Sequence, residues 1–381
     1  MPNWVAPAAH DTSDRRSQAT CDSQHLQCPS WWRSESSGGT EVGVRLRASV
    51  RLGCVVAVAG LALVACVCGL GCHSNSDHPT NTALAQPGPI FVPRQHNGNY
   101  PIRVVCTTGM VADLVRHTGD GHVQVHALMG PGVDPHLYKA RPNDVRLLQE
   151  ADLVFYNGLH LEGKMAELLQ SLRHQGKLTF AVTTALTAED LLPDGGEFDP
   201  HVWFNVRLWH KCLELVRDVL MQYDPGHRDD YQRLAEEYGS QLLRLDEWVR
   251  QQVQSIPPAQ RVLVTAHDAF RYFGQAYGLE VHGIQGISTE SEASLSEIDT
   301  LAEMLARRKI KAIFVESSVN PRNVQALIEA CRRRGHAVRL GGELFSDALG
   351  ELHQEVPEQD NPGTYVGMIR HNVRTIVEAL R

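Results

Sequence analysis

The sequence has 381 residues, 43% hydrophobic and 21% charged, an ordinary globular composition that excludes a mostly disordered chain and suits about two domains. With 36 Lys and Arg against 44 Asp and Glu, the formal net charge is −8, which argues against a general nucleic-acid binder because such proteins carry a basic face. Nineteen histidines and nine cysteines remain to be explained by position.

Residues 1–44 are polar, with Trp4, Trp31 and Trp32 isolated and no helical or strand period. Arg45, Arg47 and Arg51 then form a basic run, followed by an apolar stretch over residues 52–65 and by Cys66. A basic run, a short apolar run and a small-residue cleavage site describe a secretory signal over 45–65. The run is shorter than the roughly 20 apolar residues of a membrane span. Leu63-Val64-Ala65-Cys66 resembles the bacterial lipobox, in which the cysteine is lipidated; Cys72 is the second candidate. An uncleaved anchor is the alternative, and either reading puts the remainder outside the cytoplasm. A signal normally opens a chain, so residues 1–44 are expected to be a doubtful or disordered leader, with the natural start near Val42 or Val44. Residues 66–100 read as a lipid-anchored tether, its stretch from 73 onward rich in Asn, Pro, His and Gly. Only Cys106, Cys212 and Cys331 then fall in the folded part, odd in number and far apart, so no disulfide framework is expected.

From residue 101 short apolar runs alternate with amphipathic ones. Strands are expected at 102–106, 123–129 and 153–156, and helices at 110–117, 143–150 and 163–173. After Pro258 the alternation resumes, with strands at 262–265, 279–283, 312–315 and 337–340. Helices are expected at 268–277, 295–308, 321–334 and 364–380. The alternation implies α/β architecture, with mostly parallel sheets flanked by helices. Between the halves, Asp224-Pro225 reads as a helix start. Tyr231, Leu234, Tyr238, Leu242, Leu245, Val249 and Val253 then repeat at helical spacing up to Pro257-Pro258. A helix of that length would be a stiff strut of about 45 Å between two lobes. The competing reading is one more packing helix on a single large sheet.

Three histidines sit where loops follow strands or precede helices. His136 and His201 each lie in an Asp-Pro-His triplet, and His267 closes an apolar strand. Asp347, after Gly341-Gly342, sits at a comparable edge. Ligands of open α/β sheets bind outside the carboxyl ends of strands. Three neutral imidazoles and one carboxylate make a closed site for a borderline ion such as zinc. Asp134 and Asp199 are placed to accept the second imidazole N–H of their own triplet. Glu316 is a candidate supporting acceptor and a weaker direct ligand. The other sixteen histidines show no such placement.

As a set, these blocks resemble the zinc/manganese-binding receptors of bacterial ABC importers, the TroA-like family. They include 134–138 with 142–144, 157–162 (Asn157 to Glu162), 199–204, 266–273, 286–291, 314–318 and 341–347, in matching order and spacing across about residues 101–381. The resemblance implies two α/β lobes joined by one long backbone helix, with the metal in the cleft: 101–224 the first lobe, 225–256 the linking helix, 257–381 the second lobe. It implies His136 and His201 as ligands from the first lobe and His267 and Asp347 from the second. Many manganese-selective members carry glutamate at the third position, and His267 shifts the set toward zinc. The loop 184–198 has no histidine, so the His-rich loop of strongly zinc-dedicated members is absent. The implied function is capture of one Zn²⁺ or Mn²⁺ per chain and delivery to a permease with its cytoplasmic ATPase. The receptor would be a lipid-anchored monomer, periplasmic or on the cell surface, and not an enzyme. Two other readings stay open: a zinc hydrolase with Asp268 or Glu316 as base, and a surface adhesin on the same scaffold.

Overall fold

The computed structural model describes residues 90–381; the leader, the signal and the candidate lipidation sites Cys66 and Cys72 lie outside the described residues. Strand β1 (Ile102–Cys106) is buried at four of its five positions and lies at the centre of the first sheet. It pairs in parallel with β2 (Val123–Ala127) on one side and β3 (Leu153–Tyr156) on the other, and β3 pairs in parallel with β4 (Thr179–Ala181). Helix α1 (Gly109–Gly119) starts where the Thr108 hydroxyl accepts the Val111 N–H. Helix α2 (Pro142–Glu150) has proline at its first position, and the Asp144 carboxylate returns to the Arg141 N–H. Helix α3 (Ala166–His174), a short antiparallel hairpin of β5 (Pro193–Asp194) and β6 (Glu197–Phe198), and α4 (Val206–Tyr223) complete this lobe.

The long helix is α5 (Arg228–Gln254), 27 residues and about 40 Å. It begins later than residue 225, after a 3₁₀ turn at Pro225–His227, because Asp224 does not cap backbone. Its carboxylate instead accepts the hydroxyls of Tyr100 and Tyr231 and pairs with the His227 ring. All the apolar positions expected on its inner face are buried except Leu234, which is half-buried.

In the second lobe β7 (Val262–His267) pairs in parallel with β8 (Glu280–Gln285), and β9 (Ala312–Glu316) with β10 (Arg339–Leu344). Strands β7 and β9 pack side by side. Helices α6 (Arg271–Tyr277), α7 (Leu295–Arg308), α8 (Arg322–Arg333) and α9 (Tyr365–Leu380) fill in around them. The strands before α5 pair with none of those after it, so there is no single large sheet among the described residues. Helix α6 starts three residues later than expected, because the chain first turns through Asp268 with its N–H bonded to the Gly286 carbonyl. Strand β10 runs past Leu340 through an irregularity at Gly341-Gly342, so Asp347 follows a strand end at Leu344. Helix α4 and the three-residue β4 have no counterpart among the expected elements.

One apolar core runs from β1 and α1 through α4 and α5 into α6 and α9, so the lobes share an interior on the α5 side. Separate clusters fill the far side of each lobe. Cys106, Cys212 and Cys331 are buried and unpaired, as their spacing implies. Among the described residues no helix is long and apolar enough to cross a membrane.

Candidate metal centre

His136 lies in the irregular segment between β2 and α2, and His201 just before a 3₁₀ turn that leads into α4. His267 is the last residue of β7, and Asp347 comes shortly after β10. The fold brings all four together, with one candidate donor atom of each within 4.8 Å of the others. His201 Nε2 lies 3.3 Å from His136 Nε2 and 3.4 Å from His267 Nε2. Asp347 Oδ1 is 3.4 Å from His201 Nε2, while its Oδ2 is 3.2 Å from His267 Nε2 and 3.8 Å from His136 Nε2. Donors about 2.0–2.1 Å from a tetrahedral ion stand about 3.3 Å apart, and the observed spacings sit around that figure. All four side chains are buried, and neither Asp347 oxygen receives a hydrogen bond. A buried carboxylate facing three ring nitrogens without a hydrogen bond is the electrostatic mark of a cation site.

The supporting carboxylates fix the rings. Asp199 Oδ1 faces His201 Nδ1 at 2.8 Å, and Glu316 Oε2 faces His267 Nδ1. A carboxylate only accepts, so each Nδ1 carries a proton, and in the neutral ring the Nε2 lone pair is the one left for the centre. Glu316 ends β9 as His267 ends β7, and the neighbouring strand ends set them side by side; Glu316 Oε1 also takes the His267 backbone N–H at 2.9 Å. Both Glu316 oxygens are therefore engaged with His267, and Glu316 lies outside the four-residue group. Asp268 also lies outside the four-residue group. Asp134 departs from the expectation set by its triplet: its Oδ1 accepts the His136 backbone N–H at 2.8 Å and its Oδ2 the Thr289 hydroxyl at 2.6 Å, not the His136 ring. The Asp134 carboxylate is turned toward the second lobe, so its oxygens are spent before they reach the ring.

Burial opposes charge throughout the centre. For Asp347 the neighbouring His267 and His201 overcome it and hold the carboxyl well below its usual range. Burial likewise works against charge on His201, but Asp199 and Asp347 push its pKa up to about 9. Glu316 and Asp347 raise His267 well above the ordinary histidine value. Burial and the two neighbouring imidazoles lower His136 to about 4, against the pull of Asp347.

Sequence reasoning does not single out the residues that brace this centre from the opposite lobe. Tyr272 donates its hydroxyl to the Asp199 carbonyl at 2.9 Å, and Trp203 Nε1–H donates to the Ser346 carbonyl at 3.1 Å. Tyr272 and Thr289 fall inside blocks that carry the family resemblance, which is the only sequence signal they give. Glu162, buried, accepts from Thr107 Oγ1 and from the backbone N–H groups of Asn157 and Gly158. It thereby holds a loop in which Gly158, Leu159 and His160 all have positive φ.

Two α/β lobes closing on a buried three-histidine, one-carboxylate centre define a binding protein of the solute-receptor class. The family described as "ZnuA: Zinc-uptake complex component A periplasmic" matches residues 104–379, and the chain belongs to that family. It is 49% identical over 277 residues to the zinc-binding protein TroA of Treponema pallidum (strain Nichols), covering 73% of this chain and 88% of that relative. It is 45% identical over 282 residues to the manganese-binding lipoprotein MntA of Bacillus subtilis (strain 168), covering 74% and 90%. The solved structure of the periplasmic zinc-binding protein TroA from Treponema pallidum matches with a TM-score of 0.70 over 73% of this chain and 98% of that one, at 49% identity.

Proposed function

We propose that this chain captures Zn²⁺ or Mn²⁺ outside the cytoplasm and hands it to the permease of an ABC importer. His136, His201, His267 and Asp347 are the ligands, and one ion binds per chain. The observation that carries this reading is Asp347, a buried carboxylate facing three imidazole Nε2 atoms at 3.2–3.8 Å with no hydrogen bond of its own. Three nitrogens suit zinc, and a carboxylate with both oxygens turned inward also suits manganese. Residues 101–224 and 257–381 act as the two metal-holding lobes, joined by 225–256. Residues 66–100 tether them to the membrane through a lipid on Cys66, with Cys72 as the alternative, and the receptor works as a monomer. The role is binding and not catalysis, because four ligands from two lobes leave no open position for a substrate. The test is the metal content of the chain purified without a metal-affinity tag, followed by competition between Zn²⁺ and Mn²⁺. One tightly held ion per chain supports the reading; a chain that holds neither ion contradicts it.

A further inference from the structure

We propose that Thr289 and Asp134 form a latch across the cleft that positions His136, and that opening this latch is the step that frees the bound cation. The inference rests on the metal-receptor reading above.

Three of the four ligands belong to packed interior. His201 is fixed by Asp199, which is braced in turn by Tyr272, and Arg271 stands 3.7 Å from its carboxylate. His267 is fixed by Glu316 at a strand end. Asp347 follows Ser346, whose carbonyl accepts from Trp203. His136 differs in three respects. Its side chain is 4% exposed where the other three are 0%. It lies in a stretch without regular structure between β2 and α2. Among the described residues no carboxylate or carbonyl accepts its Nδ1–H.

What holds His136 is its backbone, and the hold passes to the other lobe. Asp134 Oδ1 accepts the His136 N–H at 2.8 Å and Oδ2 accepts the Thr289 hydroxyl at 2.6 Å. Thr289 sits in the loop between β8 and α7, and its neighbour Glu290 pairs with Lys164 of the first lobe at 2.8 Å. That ion pair is exposed and weak. The half-buried hydroxyl-to-carboxylate bond is the stronger link, since its acceptor is charged. The lobes share one apolar core on the α5 side, so the separation is placed at the polar contacts of Thr289 and Glu290 with the first lobe. Parting Thr289 from Asp134 loosens residues 130–138, and His136 is the ligand that leaves with them.

The test is the dissociation rate of Zn²⁺ or Mn²⁺ from the loaded full chain in excess chelator. Thr289→Val is expected to speed dissociation about tenfold or more, and Thr289→Ser, which restores the hydroxyl, to return it close to the original rate. In the metal-free protein Thr289→Val is expected to raise amide exchange over residues 130–138 while β1 stays protected. A Thr289→Val rate within about twofold of the original, or a Thr289→Ser variant as fast as Thr289→Val, overturns the latch alone. An unsubstituted chain that holds neither ion overturns the receptor reading and the latch together.

Discussion

Asp199 holds His201 twice: its Oδ1 accepts the histidine's backbone N–H at 3.0 Å and faces its ring Nδ1 at 2.8 Å. One carboxylate therefore sets both the position of the loop and the tautomer of the ligand. Asp199→Asn keeps the shape but gives up the charge that makes Nε2 a stronger donor. Such a change in a ligand's supporting partner lowers metal affinity roughly 10–100-fold. Titration against a chelator of known affinity checks this, with circular dichroism of the variant showing that the fold persists.

The centre also fixes how binding responds to pH. In the metal-free chain burial opposes charge on both rings, but Asp199 and Asp347 push His201 up to about 9 and Glu316 and Asp347 raise His267 well above the ordinary histidine value. Protons therefore compete with a cation at both rings. His136, lowered to about 4, is neutral, and Asp347 is ionised. A cation needs neutral imidazoles, so binding at pH 7 releases protons. Affinity is expected to fall steadily as pH drops below about 9, well above the pH 6 at which isolated imidazoles would lose it. Calorimetry in buffers of different ionisation enthalpy counts the protons; zero release at pH 7 would contradict this electrostatic picture.

Which parts of this are legible in the sequence follows from how local each signal is. The four proposed ligands show themselves because each sits near a strand end or in a rigid Asp-Pro-His turn, and the seven apolar positions of α5 at helical spacing expose the strut. The partners are not local. Asp134 and Asp199 stand in identical triplets, yet only Asp199 reaches its ring, because Asp134 is drawn to Thr289 in the other lobe. Glu316 meets His267 only because β7 and β9 end side by side. Strand β4 has three residues, too few to show a period. The late start of α5 depends on Tyr100 and Tyr231 competing for Asp224, which pattern reading has no means to register.

Gly283 supports the centre without touching it. A Cβ there would meet backbone atoms of Asp268, with its Cα at 2.6 Å, in the turn directly after His267. Backbone cannot swing aside as a side chain would, so Gly283→Ala is expected to displace the turn and weaken metal binding. Thermal unfolding and metal titration of the variant check this, and unchanged affinity would show that the turn is free to shift.

A second buried network joins α1, α5 and α9. Asp113 of α1 accepts the Tyr238 hydroxyl of α5 at 2.6 Å and the Tyr365 N–H at the start of α9 at 2.9 Å, and pairs with His117. Burial opposes the charge on His117, but Asp113 and Glu358 raise its pKa to about 10. A histidine raised on folding stabilises fully below its unfolded value of about 6.5 and loses that contribution as pH rises through about 10. Melting temperature is expected to decline between pH 7 and 10 in the metal-free protein, and less so in His117→Gln. Asp113→Ala, which leaves the Tyr238 hydroxyl and the Tyr365 N–H buried without their acceptor, is expected to cost about 3 kcal/mol, read from chemical denaturation.

The most direct measurement is a metal titration of the unsubstituted chain beside His267→Ala and Asp347→Ala. The expected result is one Zn²⁺ or Mn²⁺ per unsubstituted chain, with affinity lost in both variants, since each removes one of four ligands that enclose a single ion. Full affinity retained in Asp347→Ala would contradict the account, because the carboxylate would then face the three imidazoles for some purpose other than holding the cation.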